Sequence, residues 1–312
     1  MAKISVVIPV YNEEQTLPEL FTRLDLLVSS VGSDHQFEFL LINDGSIDRS
    51  LDILKEKVST ESRYKLVSFS RNFGHQSALL AGITLAKGDA VIAMDADLQD
   101  PPEVIVELIA SWELGSDVVY AERRLRNGES FFKKFSAAIF YGLIDWLSET
   151  DLPRNVGDFR LMDRRVVDML LQLPEKSLYL RGLVAWVGFK QTAVLYDRDA
   201  RFAGETKYSM KKMLNLATDA LLSFSEKPLR IVTRLGFAVT TVAFFLLGFF
   251  LITAYLTSEN QVHGWLSMIF AVLFLGGIQL ICLGIVGEYV SRIYREVKGR
   301  PLYIIDERKS LL

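Results

Sequence analysis

A single cysteine, Cys282, in 312 residues excludes an internal disulfide and a cysteine-based zinc site. The three histidines, His35, His75 and His263, stand far apart, so no histidine-rich metal site is expected. Each reads as a solvated or packing residue. No Gly-x-Gly-x-x-Gly follows the first apolar run, and no Gly-x-x-x-x-Gly-Lys-Ser/Thr occurs. A Rossmann dinucleotide fold and a P-loop nucleotidase are both disfavoured. Positive charge is not in excess: Lys and Arg number 35 against 38 Asp and Glu, a net charge of −3. A nucleic-acid binder is usually basic, so no nucleic-acid partner is expected. The first apolar run, Ile4 to Val10, contains Pro9 and meets Asn12-Glu13-Glu14, which is not a signal-peptide pattern. No internal repeat or low-complexity segment is evident.

What is present is unevenly placed. The runs Leu235 to Leu256 and Trp265 to Val286 contain no charged residue. Each can cross a hydrocarbon core of ~30 Å, which takes about 20 residues. Lys227, Arg230 and Arg234 precede the first run; Arg292, Arg295, Lys298 and Arg300 follow the second. The segment between them, Thr257 to Gly264, has no Lys or Arg. By the positive-inside rule both chain ends face the cytoplasm. Gly276-Gly277 in the second run leaves room for close helix contact, so a homo-oligomer is one expectation.

The first part of the chain alternates short apolar runs with helical patterns, the mark of a doubly wound, mostly parallel α/β sheet. Strands are expected at Ile4 to Val10, Phe37 to Ile42, Leu66 to Phe69, Ala90 to Met94 and Val118 to Ala121. Thr16 and Glu19 have capping-box spacing before a first helix, Asp48 starts a second, and Pro102 to Trp112 is a later one. Between them Gly74, Ala78, Gly82 and Ala86 put small residues on one helix face, suited to close packing on the sheet. Another helix begins near Asp163.

Polar residues recur where the strands end: Tyr11 and Glu13, Asp44 and Ser46, Asp95 and Asp97, Arg123. Ligands of open α/β sheets bind at that rim. Asp95 and Asp97, two apart on extended chain, point to one side and suit a hard cation such as Mg²⁺ or Mn²⁺; Gln99 adds a neutral oxygen. A strand-to-helix turn with capping carboxylates is the bland alternative. A second triplet, Asp197-Arg198-Asp199, ends no apolar run and reads as a solvated loop. The amphipathic runs Phe131 to Trp146 and Met210 to Phe224 read either as helices on a membrane surface or as packing against the sheet.

Val10-Tyr11-Asn12-Glu13, Asn43-Asp44-Gly45-Ser46-x-Asp48, Asp95 to Glu103 and Gly157-Asp158-Phe159-Arg160-Leu161 together resemble the GT-A glycosyltransferases of family 2. Arg201-x-x-Gly204-x-Thr206-Lys207-Tyr208 narrows the resemblance to the polyprenyl-phosphate branch, and the two spans to its bactoprenol glucosyltransferases. The resemblance covers essentially the whole chain. Asn43 is a departure, since many members have Asp there.

The resemblance implies inverting transfer of a hexose, glucose from UDP-glucose in the first instance with GDP-mannose or a UDP-amino sugar as the alternative donor, to undecaprenyl phosphate at the bacterial inner membrane. It implies Pro9, Tyr11, Glu13, Ile42, Asp44, Ser46, Asp95, Ala96 and Arg123 around the nucleotide sugar. Asp95, Asp97 and Gln99 would take Mg²⁺ or Mn²⁺; Asp158, Asp97, Arg201 and Lys207 would stand at the reaction. Asp158 is the family's candidate base; orienting the acceptor, offsetting positive charge and capping a helix are its other readings. The expected layout is a cytoplasmic GT-A domain over 1–208 with an interfacial helix at 131–147. A juxtamembrane helix over 209–232, two spans over 233–291 and a cytoplasmic tail over 292–312 follow. The rivals are a scaffold without chemistry, which would not need Asp95 and Asp97, and a processive synthase. The latter usually carries a Gln-x-x-Arg-Trp motif, which is absent.

Overall fold

The computed structural model describes residues 1–32, 34–124, 156–175, 180–197, 227–257 and 265–311. The amphipathic runs around 131–147 and 210–224, Arg201, Lys207 and His263 lie outside the described residues. The chain divides into two units, one holding the sheet and residues from Arg300 onward, the other holding the two long apolar helices.

The first unit is built on a seven-stranded sheet in the order β3-β2-β1-β4-β6-β5-β7. Its strands are β1 (Ala2–Val10), β2 (His35–Asn43), β3 (Tyr64–Ser68), β4 (Ala90–Ala93), β5 (Val118–Arg123), β6 (Val156–Asp163) and β7 (Gln191–Tyr196). The five expected strands all form. β1, β2, β3 and β4 pair in parallel. β6 runs antiparallel between β4 and β5. The sequence pattern predicts no strand there, because Gly157, Asp158 and Arg160 break the apolar run.

Helices α1 (Leu17–Val31), α2 (Ser50–Thr60), α3 (His75–Leu85) and α4 (Ile105–Glu113) link the parallel strands, and α5 (Arg164–Gln172) and α6 (Leu180–Val187) follow β6. The small face of α3 packs at Ala78 and Gly82, whereas Gly74 is the N-cap, with open space where a Cβ would lie, and Ala86 is the C-cap. A Cβ on Gly82 would lie 2.1 Å from Val7 Cγ1 on β1, so only hydrogen fits there. The capping box does not form: the Thr16 hydroxyl donates to the Glu13 carbonyl and carboxylate instead of capping α1. Asp48 precedes α2 rather than entering it, its carboxylate accepting the Ser50 N–H at 3.0 Å. Pro102–Val104 is a single 3₁₀ turn ahead of α4. Asp163 caps α5 through the Arg165 N–H, so the helix starts where expected and Asp158 is not its cap.

Near the starting ends of the strands one carboxylate is buried and fully engaged. Glu38 accepts the Ser5 hydroxyl at 2.5 Å and the Lys87 N–H at 2.9 Å. The ammonium groups of Lys3 and Lys65 lie 2.7 and 3.3 Å away. Burial pushes this carboxyl up; the Lys3 and Ser5 hydrogen bonds and the Lys87 N–H outweigh it and hold it at about 2.

The sheet's outer strand β3 does not end the sheet on its own. Residues 304–311 lie along it: the N–H and carbonyl of Leu66 exchange hydrogen bonds with Leu311, both at 2.7 Å. The Ser68 carbonyl accepts the Asp306 N–H, and the Ile304 carbonyl accepts the Ser70 N–H.

The second unit contains α7 (Lys227–Thr257) and α8 (Trp265–Val297). Each has a stretch long and apolar enough to cross a membrane, at Leu229–Leu246 and Phe274–Val297. They contain the two uncharged runs read from the sequence.

Candidate active site

The site forms where β1, β2 and β4 end and β6 begins. Because β6 is antiparallel, Ala93 at the end of β4 faces Arg160, which brings Asp158 to the rim beside Asp95. Two loops fix the rest. Asn12, at φ 55°, turns the chain after β1, and its side-chain oxygen accepts the Ile47 N–H at 2.9 Å. The Ser46 hydroxyl accepts the Asn12 N–H at 3.1 Å. The loops after β1 and β2 are thereby laced together, with Tyr11 partly exposed beside them.

Asp44 reaches the loop before α3. Its two oxygens accept the N–H groups of Phe73 and Gly74 at 2.7 and 2.9 Å. Burial raises its carboxyl above the usual value, and those N–H groups act against the rise. Gly45 lets the loops meet: its φ is +66°, and a Cβ would lie 2.5 Å from the Arg71 carbonyl carbon. Asn43 has a structural task, its amide donating to the Ser68 hydroxyl at 2.8 Å while its oxygen accepts the Ser46 N–H. Pro9 and Ile42 are buried neighbours across β1 and β2. Glu13 donates its N–H to Ser50 Oγ, which ties the turn before α1 to the start of α2.

Asp158 is the hub. Arg181 on α6 donates to its two oxygens at 2.7 and 3.1 Å, and Gln76 on α3 donates at 3.1 Å. His75 Nε2 lies 3.2 Å from Asp158 Oδ2 and 3.4 Å from Asp95 Oδ1. Burial opposes ionisation of Asp158, but Arg181 and His75 outweigh it and hold the carboxyl well below the usual carboxylate range. Burial would lower His75; Asp95 and Asp158 outweigh it and push the imidazole up to about 9. The expectation that every histidine is a bystander is therefore corrected at His75. A lone histidine at a helix start carries no sequence signal, and neither do Gln76 and Arg181, which meet Asp158 only through the fold.

Asp95 contrasts with its neighbour. Its Oδ1 is buried and makes no hydrogen bond in the structure. Burial holds its carboxyl up at about 6; His75 pulls it down, while Asp158, Asp100 and Asp97 add to the rise. The Gln99 N–H closes a turn onto Asp97 Oδ1 at 3.1 Å, and Leu98 between them has φ 58°, an uncommon conformation for leucine. Ala96 is buried in the core. Arg123 donates to the Tyr196 hydroxyl at 3.2 Å and stands 3.7 Å from Asp100, which Tyr196 also contacts. Asp197 is exposed and pairs with Arg124; Arg198 and Asp199 of the same triplet lie outside the described residues.

Among the described residues no three His, Cys, Asp or Glu side chains form a ready ligand set. The orphaned, buried oxygen of Asp95 amid further carboxylates nevertheless fits a divalent cation. Mg²⁺ sites commonly use one or two carboxylates and complete themselves with substrate phosphates.

The chain belongs to glycosyl transferase family 2, whose domain it matches over residues 5–171, and is a glycosyltransferase. Residues 227–293 match the GtrB C-terminal hairpin. The chain is 48% identical over 303 residues to the uncharacterized glycosyltransferase YkcC of Bacillus subtilis (strain 168), covering 97% of this chain and 93% of that one. It is 43% identical to the prophage bactoprenol glucosyl transferase homolog of Escherichia coli (strain K12), over 99% of this chain and 100% of the relative. The bactoprenol glucosyl transferase of Shigella phage SfX is 42% identical, over 98% of this chain and all of the relative. Among solved structures, mannosyl-3-phosphoglycerate synthase from Rubrobacter xylanophilus superposes with a TM-score of 0.49 at 14% identity, over 75% of each chain.

Proposed function

We propose that this enzyme transfers glucose from UDP-glucose to undecaprenyl phosphate at the cytoplasmic face of the bacterial inner membrane. The carrying observation is similarity to bactoprenol glucosyl transferases that spans both the sheet and the helical hairpin. A polyprenyl tail stays in the bilayer while a sugar nucleotide stays in water, so one chain must serve both phases. The bond from sugar C1 to the diphosphate breaks, and UDP leaves with the electron pair. An acceptor phosphate oxygen bonds C1 from the opposite face.

Asp158 is a poor base at neutral pH, because its oxygens are engaged by Arg181, Gln76 and His75. Its role is to fix His75 and Arg181 at the rim, and an acceptor that is already an anion needs no strong base. Tyr11 stands exposed where a base can stack, and Asp44 lines the same loop cluster. Asp95, Asp97 and Gln99 would hold Mg²⁺ or Mn²⁺, which when bound neutralises charge developing on the leaving UDP. Arg201 and Lys207 are assigned to the anionic groups of donor or acceptor.

The orientation is supported by the charges: Lys and Arg flank the outer ends of the hairpin and are missing from the segment between its helices. The two crossings are supported by the pairing of residues 304–311 with β3, since the sheet and the chain after α8 then lie on one side. The test is purified protein with undecaprenyl phosphate and, separately, UDP-glucose, GDP-mannose and UDP-N-acetylglucosamine. Glucosyl lipid with stoichiometric UDP is expected. A different preferred donor overturns the sugar assignment; no lipid product with any donor overturns the activity.

A further inference from the structure

The strap of residues 303–311 does more than finish the sheet. The Tyr303 ring stacks on Phe69 with centroids 5.1 Å apart and planes within 9°. Phe69 in turn meets Phe73 edge-on at 5.7 Å, and the Arg71 guanidinium lies 4.0 Å from the Phe73 ring centroid. Phe73 and Gly74 are the residues whose N–H groups bind Asp44, and His75 follows immediately. Main-chain bonds from Ser68 and Ser70 to Asp306 and Ile304, and the Ser310 hydroxyl accepting the Ser68 N–H at 3.0 Å, fix the strap on the near side of the same loop. The 69–74 loop therefore meets Asp44 through the N–H groups of Phe73 and Gly74, and the chain that follows α8 through Phe69 and Ser70.

We propose that Tyr303, with the strap behind it, is a positioning residue for the nucleotide pocket: it holds the 69–74 loop against Asp44, so strap docking and nucleotide binding favour each other. The proposal rests on the assignment of Asp44 to the nucleotide site. Coupling of this kind is reciprocal: whatever the strap adds to nucleotide affinity, nucleotide adds to strap docking.

The test measures UDP affinity and steady-state kinetics of the full-length protein in detergent with Mn²⁺ present. Tyr303→Ala is expected to weaken UDP binding and raise the KM for the sugar nucleotide by about 5- to 10-fold, a coupling of ordinary size, with kcat within twofold. Tyr303→Phe keeps the stacked ring and should bind UDP like the native protein. Equal loss in both variants, or a fall in kcat alone, would overturn the proposal. Asp44→Ala separates the two levels. Native UDP affinity in that variant would fail the nucleotide-site assignment, whereas loss there with native affinity in Tyr303→Ala would fail the strap proposal alone. Amide exchange of the unmodified protein needs no variant to fold. UDP should slow exchange at Asp306 and Leu311 together with Phe73 and Gly74, and protection of the loop without the strap would contradict the coupling.

Discussion

Glu38 and Asp95 are carboxylates of one sheet, treated in opposite ways. Glu38 has hydroxyl, backbone and two ammonium partners, and is held at about 2. Asp95 has a buried oxygen with no hydrogen bond, and burial, reinforced by three carboxylates and opposed by His75 at 3.4 Å, holds it at about 6. A buried charge that is satisfied from within serves the fold; one left unsatisfied waits for something from outside. Asp158 lies between the two cases, at the rim but saturated by its own chain.

The sharpest way to break this comparison is Asp95→Asn. Transfer should fall about 1000-fold, in line with the removal of a key electrostatic group. The melting temperature should stay level or rise, because the substitution deletes a charge that burial disfavours by more than His75 favours it. Near-native transfer, or a clear loss of stability, would erase the distinction between the two ends of the sheet.

Glu38→Gln tests the other end. A carboxyl lowered from 4.5 to about 2 contributes about 3 kcal/mol of stability at neutral pH. The sign follows from the lowering: the contribution is complete above pH 4.5 and is lost as pH falls towards 2. Chemical unfolding of the variant should show that deficit at pH 7 and a flatter acid limb, with transfer per folded molecule unchanged. Loss of transfer in a folded Glu38→Gln protein would mean the two ends are not independent.

Arg181→Met probes the intermediate case, with a stability loss of about 2 kcal/mol, smaller than that of Glu38→Gln. The figure is kept below that of a wholly buried pair because Arg181 is partly exposed. Asp158 keeps His75 and Gln76, so the fold should survive, while transfer falls in kcat more than in donor KM. An unchanged kcat would remove Asp158 and Arg181 from the reacting end of the site.

Much of this arrangement is legible in the sequence. Apolar runs mark the parallel strands. Asp95-x-Asp97 marks the rim, because two carboxylates at the end of a buried strand are costly unless a cation meets them. The small face of α3 is visible at its four-residue spacing. Contacts made by sequence-distant residues of ordinary type are not visible. β6 is hidden because polar residues at the rim interrupt its apolar pattern. His75, Gln76 and Arg181 act only by converging on Asp158, and no local rule links position 75 to position 181. Capping residues mislead in the other direction: Thr16 has the right spacing, yet its hydroxyl finds Glu13 nearer.

The strap along β3 also bears on how the protein is made. A ribosome delivers β1 to β7 first and residues 303–311 only after both apolar helices have emerged. Until then the outer edge of β3 offers Leu66, Ser68 and Ser70 unpaired to any passing strand. Completion of the first unit is thus postponed until synthesis of the hairpin is over. A ribosome that stops short of residue 303 would release a chain with all of its rim carboxylates and an open, adhesive sheet edge, a natural target for quality-control proteases.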